Sequence, residues 1–205
     1  MNIEIRKLTP DLLGDYLYFF ENEAHSDNPD EDRCYCVCWC SDDHRERKDF
    51  SSPEKRRDFA VQYINSGIIQ GYLAYHDCKV VGWCNANKKS DCLNCISWLR
   101  VIEAKNKIES KRENNVKSIF CFAIAPGMKR KGIATKLLER VCKDAADDGY
   151  DYVEAYPHKT FINEFSDFMG PVELYKKYGF IIHEEKEHKL VMRKLLKSMR
   201  KEYHS

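Results

Sequence analysis

The chain has 205 residues, enough for one domain with a substantial core. A content of 43% hydrophobic, 12% aromatic and 33% charged residues reads as globular and soluble, and the formal net charge of +1 excludes a general pull toward nucleic acid or an anionic membrane. MNIEIRKL carries charge where a signal peptide needs an apolar run, and no long apolar segment follows, so a cytoplasmic setting with ten reduced cysteines is expected.

Residues 2–8 (NIEIRKL) alternate Ile3 and Ile5 with polar neighbours and predict a half-buried strand. Thr9-Pro10 sets an N-cap before a proline suited to the first helical position, and Leu12, Leu13, Tyr16, Leu17 and Phe20 follow at helical spacing. A polar loop ends that helix, with a turn at Asn28-Pro29. In RCYCVCWC (33–40), alternation would put Cys34, Cys36, Cys38 and Cys40 on one face of an extended strand and Tyr35, Val37 and Trp39 on the other. Together with Cys92-x-x-Cys95 this invites a metal reading. Four alternating thiols on one strand lack the turn that wraps an ion, so a reduced, partly buried segment without metal is expected.

Ser51-x-x-Glu54 reads as a capping box with Pro53 in the first turn. Phe59, Ala60, Tyr63 and Ile64 form the buried face of its helix, which Gly67 stops. QGYLAYH (70–76) and KVVGWCNAN (79–87), joined by Asp77-Cys78, predict an antiparallel hairpin. Residues 88–117 read as a polar excursion within one domain spanning 1–205, helical near Ser97–Lys105 and charge-rich over 105–115. Ser118–Gly149 then reads as a buried strand, a basic loop and a helix with Ile133, Leu137, Leu138, Val141 and Ala145 on one face. DYVEAYP (151–157) is a further strand and PVELYKKY a short helix opened by Pro171 and stopped by Gly179. FIIHEE (180–185) and HKLVMRKLL (188–196) form a terminal pair of strands, with the last residues fraying. This order is that of an α+β (mixed α/β) fold, not a regular βαβ alternation.

Gly127-Met128-Lys129-Arg130-Lys131-Gly132 places three cations at a helix start, where unpaired N–H groups and the helix dipole already favour an anion. Gly132 leaves room for a ligand to approach the backbone, so a bound phosphate accounts for the composition; a solvated basic turn would share it. Ile133-Ala134 after Gly132 rules out a Walker A loop, and no G-x-G-x-x-G occurs.

I-A-P-G-M-K-R-K-G-I-A resembles the acyl-CoA-binding motif of the GNAT acetyltransferase superfamily, Q/R-x-x-G-x-G/A after a strand. Lys129, Gly132 and Ala134 fill its three positions, lysine being a departure at the first. L-Y-K-K-Y-G-F (174–180) resembles that superfamily's terminal lYeklGF segment. A segment read as C-x-C-x-W, with G-W-C-N-A and E-A-Y-P, resembles a bacterial branch of general acetyltransferases. The resemblance implies the GNAT acyl-CoA N-acyltransferase fold, a central mostly antiparallel twisted sheet flanked by helices, with acetyl-CoA as co-substrate. Backbone groups of Phe122, Ala123 and Ile124 would pair with the pantetheine arm in a gap beside the central strand. Those of Lys129, Arg130, Lys131, Gly132, Ile133, Ala134 and Thr135 would hold the pyrophosphate.

The implied reaction is direct transfer through a tetrahedral intermediate. A neutral primary amine attacks the thioester, a strand N–H steadies the oxyanion, and Tyr175, at the family's acid position, protonates the departing thiolate. The family's asparagine seven residues earlier falls on Phe168. Glu154 is the carboxylate best placed as base, with Asp167 and Glu173 weaker and water another acceptor of the proton. Trp39, Trp83 and Tyr156 would line the acceptor pocket. The expected partner is a small-molecule or peptide amine, not nucleic acid or membrane, and homodimers are common in the resembling family. A non-catalytic acyl-CoA sensor on the same fold and a cysteine-based metal module are the alternatives.

Overall fold

The computed structural model describes residues 1–27, 33–41, 47–102, 115–163 and 167–196. The turn at Asn28-Pro29, nearly all of the 105–115 charge run and the end beyond Leu196 lie outside them. Among the described residues one sheet contains β1 (Glu4–Lys7), β2 (Gly71–His76), β3 (Lys79–Lys88), β4 (Val116–Ile124), β5 (Tyr152–Ala155), β6 (Ile181–Glu185) and β7 (Leu190–Leu195). The spatial order is β1-β2-β3-β4-β5-β7-β6, and every neighbouring pair is antiparallel except β4–β5. Asp77 and Cys78 join β2 to β3 with φ of 48° and 62°, the left-handed pair that a two-residue hairpin loop requires.

Strand alternation splits the core into two layers. Leu73 and Tyr75 face α1 (Leu13–Tyr18), α2 (Pro53–Asn65) and α3 (Ile96–Val101), whereas Tyr72 and Ala74 face α4 (Ile133–Asp147) and α5 (Val172–Lys177). On α4 the expected stripe of Ile133, Leu137, Leu138, Val141 and Ala145 is buried throughout, with Cys142 beside it. This is the mixed α/β architecture expected, with its mostly antiparallel sheet flanked by helices. No helix among the described residues is long and apolar enough to cross a membrane.

Two local expectations are corrected. The cap of α2 is Ser52, whose hydroxyl accepts from the Lys55 N–H at 3.3 Å, because Pro53 suits the first helical position and draws the cap to its neighbour. Residues 33–40 are not a strand. Tyr35 and Cys36 take φ of 46° and 49°, and Val37–Trp39 form a 3-10 turn. Tertiary contacts override the alternation: the Tyr16 hydroxyl donates to the Tyr35 carbonyl at 2.6 Å, and the Trp39 ring stacks on Phe120 with centroids 5.3 Å apart. Trp39 follows Cys38 directly, so the segment reads C-x-C-W and not C-x-C-x-W.

The parallel β4–β5 ladder runs only from Val116↔Tyr152 to Ile119↔Ala155. On its other edge β4 stays paired to β3 as far as Ile124↔Gly82. From Phe120 onward, therefore, one edge of β4 has no strand beside it among the described residues.

Candidate active site

β4 leads through the short 3-10 turn Pro126–Met128 into the basic loop and then α4. Gly132 is the N-cap of α4 with φ of +79°, and a Cβ built there would meet nothing within 4 Å. The glycine thus answers a backbone need, the left-handed conformation that lets the loop enter the helix. The first helical hydrogen bond runs from the Lys136 N–H to the Gly132 carbonyl at 3.1 Å. No side chain caps the helix among the described residues, and no acidic residue stands in its first turn. The N–H groups of Ile133, Ala134 and Thr135 form the open positive end of a 15-residue helix. Around it, Lys129 Nζ lies 3.4 Å from an Asp27 carboxylate oxygen, Lys131 Nζ donates to the Gly127 carbonyl at 2.8 Å, and Arg130 is exposed with φ of +63°.

Phe122, Ala123 and Ile124 lie on the last part of β4, beyond its pairing with β5. The Phe122 N–H donates to the Phe168 carbonyl at 2.7 Å. Tyr175, on α5, has no exposed surface, and its hydroxyl donates at 2.5 Å to the carbonyl of Met169, the residue after Phe168. Burial raises its pKa well above the ordinary tyrosine value, so the phenol is protonated at neutral pH. Tyr178, one turn on, is half-exposed and donates to Glu139 at 2.9 Å. The stretch Asp167–Gly170 therefore sits between the open edge of β4 and Tyr175, an adjacency no sequence spacing announced. Asp167 anchors it, accepting from the Ile162 N–H at 3.0 Å and lying 2.8 Å from His158 Nδ1.

Glu154 is placed differently from its expected role as base. It is completely buried, with Lys89 Nζ 2.9 Å from Oε2, Arg193 held on Oε1 by its Nε at 2.7 Å and by a second nitrogen, and the Tyr156 hydroxyl donating to Oε2 at 2.9 Å. Burial pushes its pKa up, but the two cations more than offset that and hold it below the ordinary glutamate value. A carboxylate this well compensated is a weak proton acceptor, and it has no surface to offer a substrate. Glu173 is exposed and paired to Lys176 at 3.0 Å, and Asp167 is engaged as described.

Of the expected pocket aromatics, Trp39 and Tyr156 both stack on Phe120, with centroids 5.3 and 5.6 Å away, and Trp98 is edge-on to Phe120 and Tyr156. Phe168 tilts against Trp39 at 6.1 Å. Trp83 stands apart, enclosed by Tyr16 at 4.9 Å and Phe20 at 6.5 Å. The Cys36 thiol interacts with those of Cys121 and Cys34, and the Cys121 contact together with burial raises its pKa well above the ordinary thiol value. These sulfurs are therefore protonated at neutral pH. Among the described residues no group of three or more His, Cys, Asp or Glu is arranged to hold a metal ion.

The family description "Acetyltransferase (GNAT) family" matches residues 16–180. Among solved structures, an acetyltransferase of the GNAT family from Streptococcus pneumoniae is 18% identical, covering 95% of this chain and 99% of that one with a TM-score of 0.53. PaiA N-acetyltransferase from Thermoplasma acidophilum, solved in complex with coenzyme A, gives the same identity, coverage and TM-score. YncA from Salmonella typhimurium, solved with its cofactor acetyl-CoA, is 14% identical with 95% and 94% covered and a TM-score of 0.52. At such identities the likeness is one of fold. A shorter match, 34% identical over 71 residues, is to serine/threonine-protein kinase GIN4 of Saccharomyces cerevisiae; it covers 35% of this chain, which spans 6% of that protein's length.

Proposed function

The chain belongs to the acetyltransferase (GNAT) family, and from that premise we propose that it transfers an acetyl group from acetyl-CoA to the primary amine of a small molecule or peptide. The observation that carries this reading is the pairing of an uncapped, cation-flanked α4 start with the open edge of β4 directly before it. A diphosphate fits the first of these. The N–H groups of Ile133, Ala134 and Thr135 supply donors, Gly132 lets the loop turn, and Lys129, Arg130 and Lys131, which oppose the helix dipole in isolation, become favourable once an anion is bound. On the open edge of β4 the backbone groups of Phe122 and Ile124 offer strand-like hydrogen bonds to the amides of an extended pantetheine arm, while those of Ala123, between them, face β3.

In this reading the amine attacks the thioester carbonyl from the side of the sheet carrying Trp39, Phe120 and Tyr156. The Phe122 N–H stabilises the oxygen as charge develops on it. Tyr175, protonated and enclosed, gives its proton to the departing thiolate. We assign the amine's proton to water, and to Glu154 the role of holding Lys89 and Arg193 together beneath the site.

An acetyl-CoA thiol-release assay against a panel of small amines and peptides tests the reaction, with calorimetry of CoA binding beside it. Amine-dependent release is the expected result. Tight CoA binding without release on any amine would move the reading to a non-catalytic sensor, and absence of CoA binding would overturn both.

A further inference from the structure

Resting on the acyl-CoA reading above, we propose that Asp167–Gly170 is a strap that closes the donor site in the resting protein and is displaced when acyl-CoA binds. Two consecutive carbonyls of this stretch take the two groups the reaction needs. Phe168 accepts the Phe122 N–H at 2.7 Å, and Met169 accepts the Tyr175 hydroxyl at 2.5 Å. A single N–H cannot give a full hydrogen bond to both the Phe168 carbonyl and a thioester oxygen, and the phenol's one proton faces the same choice. The gap that would admit the pantetheine arm is filled by backbone of the chain itself.

The closed strap is held by specific contacts. Met169 has no exposed surface, with Lys189 Nζ 3.4 Å from its sulfur. The Gly170 N–H donates to the Asp167 carbonyl at 2.8 Å, and the Asp167 carboxylate ties to His158 and to the Ile162 N–H. Phe168, standing where the resembling family has asparagine, packs its ring against Trp39 and so contributes an apolar anchor. Gly170 has φ of +82°, and a Cβ there would lie 3.2 Å from the Tyr175 hydroxyl oxygen and 3.4 Å from the Phe122 ring. None of these contacts belongs to a strand ladder; the strap is one turn pinned at its ends, the kind of element that opens locally without unfolding the sheet. Because one movement frees both groups, binding of the donor and arming of the site become a single event.

Hydrogen–deuterium exchange of the full chain, with and without saturating CoA, tests this. Peptides covering 167–170 should exchange at least about tenfold faster with CoA bound, while those covering 119–124 slow down. Slowing over 119–124 with 167–170 unchanged or slower would overturn the strap and leave the acyl-CoA reading intact. No change in either, with no binding heat, would overturn both. Gly170→Ala gives a second readout: the closed strap demands a left-handed residue, so the variant should bind CoA about five- to tenfold more tightly. An unchanged or weaker affinity would count against the strap.

Discussion

Replacing Glu154 by Gln separates a structural role from a catalytic one. The variant keeps side-chain volume but removes the charge that compensates Lys89 and Arg193, whose side chains are 5% and 9% exposed against 0% for Glu154. The new amide oxygen can accept from one cation, yet its NH2 must then face the other, Lys89 at the Oε2 position or Arg193 at the Oε1 position. Breaking a buried ion pair from one side costs about 3–5 kcal/mol. At about 2–4 °C per kcal/mol for a chain of this size, the melting midpoint should fall by roughly 10 °C. The pH dependence has a definite sign. The folded-state pKa of Glu154 lies below its ordinary value of 4.5, so its contribution is complete above that value and is lost as pH falls through the folded pKa. Urea melts of the wild type and Glu154→Gln should therefore differ by a constant amount from neutral pH down to about 4.5 and converge below it. A variant within 1 kcal/mol of wild type that nonetheless loses about 10²-fold in kcat would refute this account and return Glu154 to the role of base.

Four further outcomes follow from named contacts. Tyr175→Phe keeps the buried ring and removes only the hydroxyl, so kcat should fall by about 10²-fold in steady-state assays, with a stability loss of about 1–3 kcal/mol from the Met169 carbonyl left unpaired; full activity would reduce Tyr175 to packing. Gly132→Ala should lower stability by about 1–2 kcal/mol in urea melts, with Gly132→Asn recovering part of it, because the added Cβ strains φ and touches nothing; equal losses in the two variants would argue against a backbone cause. Reversing Lys129 and Lys131 together to Glu should weaken CoA binding by at least about tenfold in low salt, with a smaller difference at high salt; a salt-independent loss would not be electrostatic. In a native thiol titration Cys78, the exposed cysteine, should react fast, whereas Cys84, buried with its pKa raised by that burial, should react only on unfolding.

Legibility differed by region for physical reasons. The stripe on α4, the hairpin at Asp77-Cys78 and the basic loop ending at Gly132 could be read in advance because each depends on local periodicity or on one residue's backbone freedom. The cysteine segment misled because alternation assumes an extended chain, and contacts with Tyr16 and Phe120, distant in sequence, fold it into turns instead. Glu154 looked available because its neighbours along the strand say nothing of Lys89 and Arg193. Those cations reach it from across the sheet and fix its charge.

By itself, then, the sequence determined that this chain forms a mixed α/β fold with a basic, glycine-capped helix start after a buried strand, since those features are written in short-range pattern. Only the tertiary structure decided where β5 stops pairing with β4, and which groups face the gap. Only there does it emerge that the Phe168 and Met169 carbonyls cover the Phe122 N–H and the Tyr175 hydroxyl. The first of these contacts joins residues far apart in sequence, the second joins near neighbours, and both are aimed at one gap only once the sheet has brought β4 and α5 together.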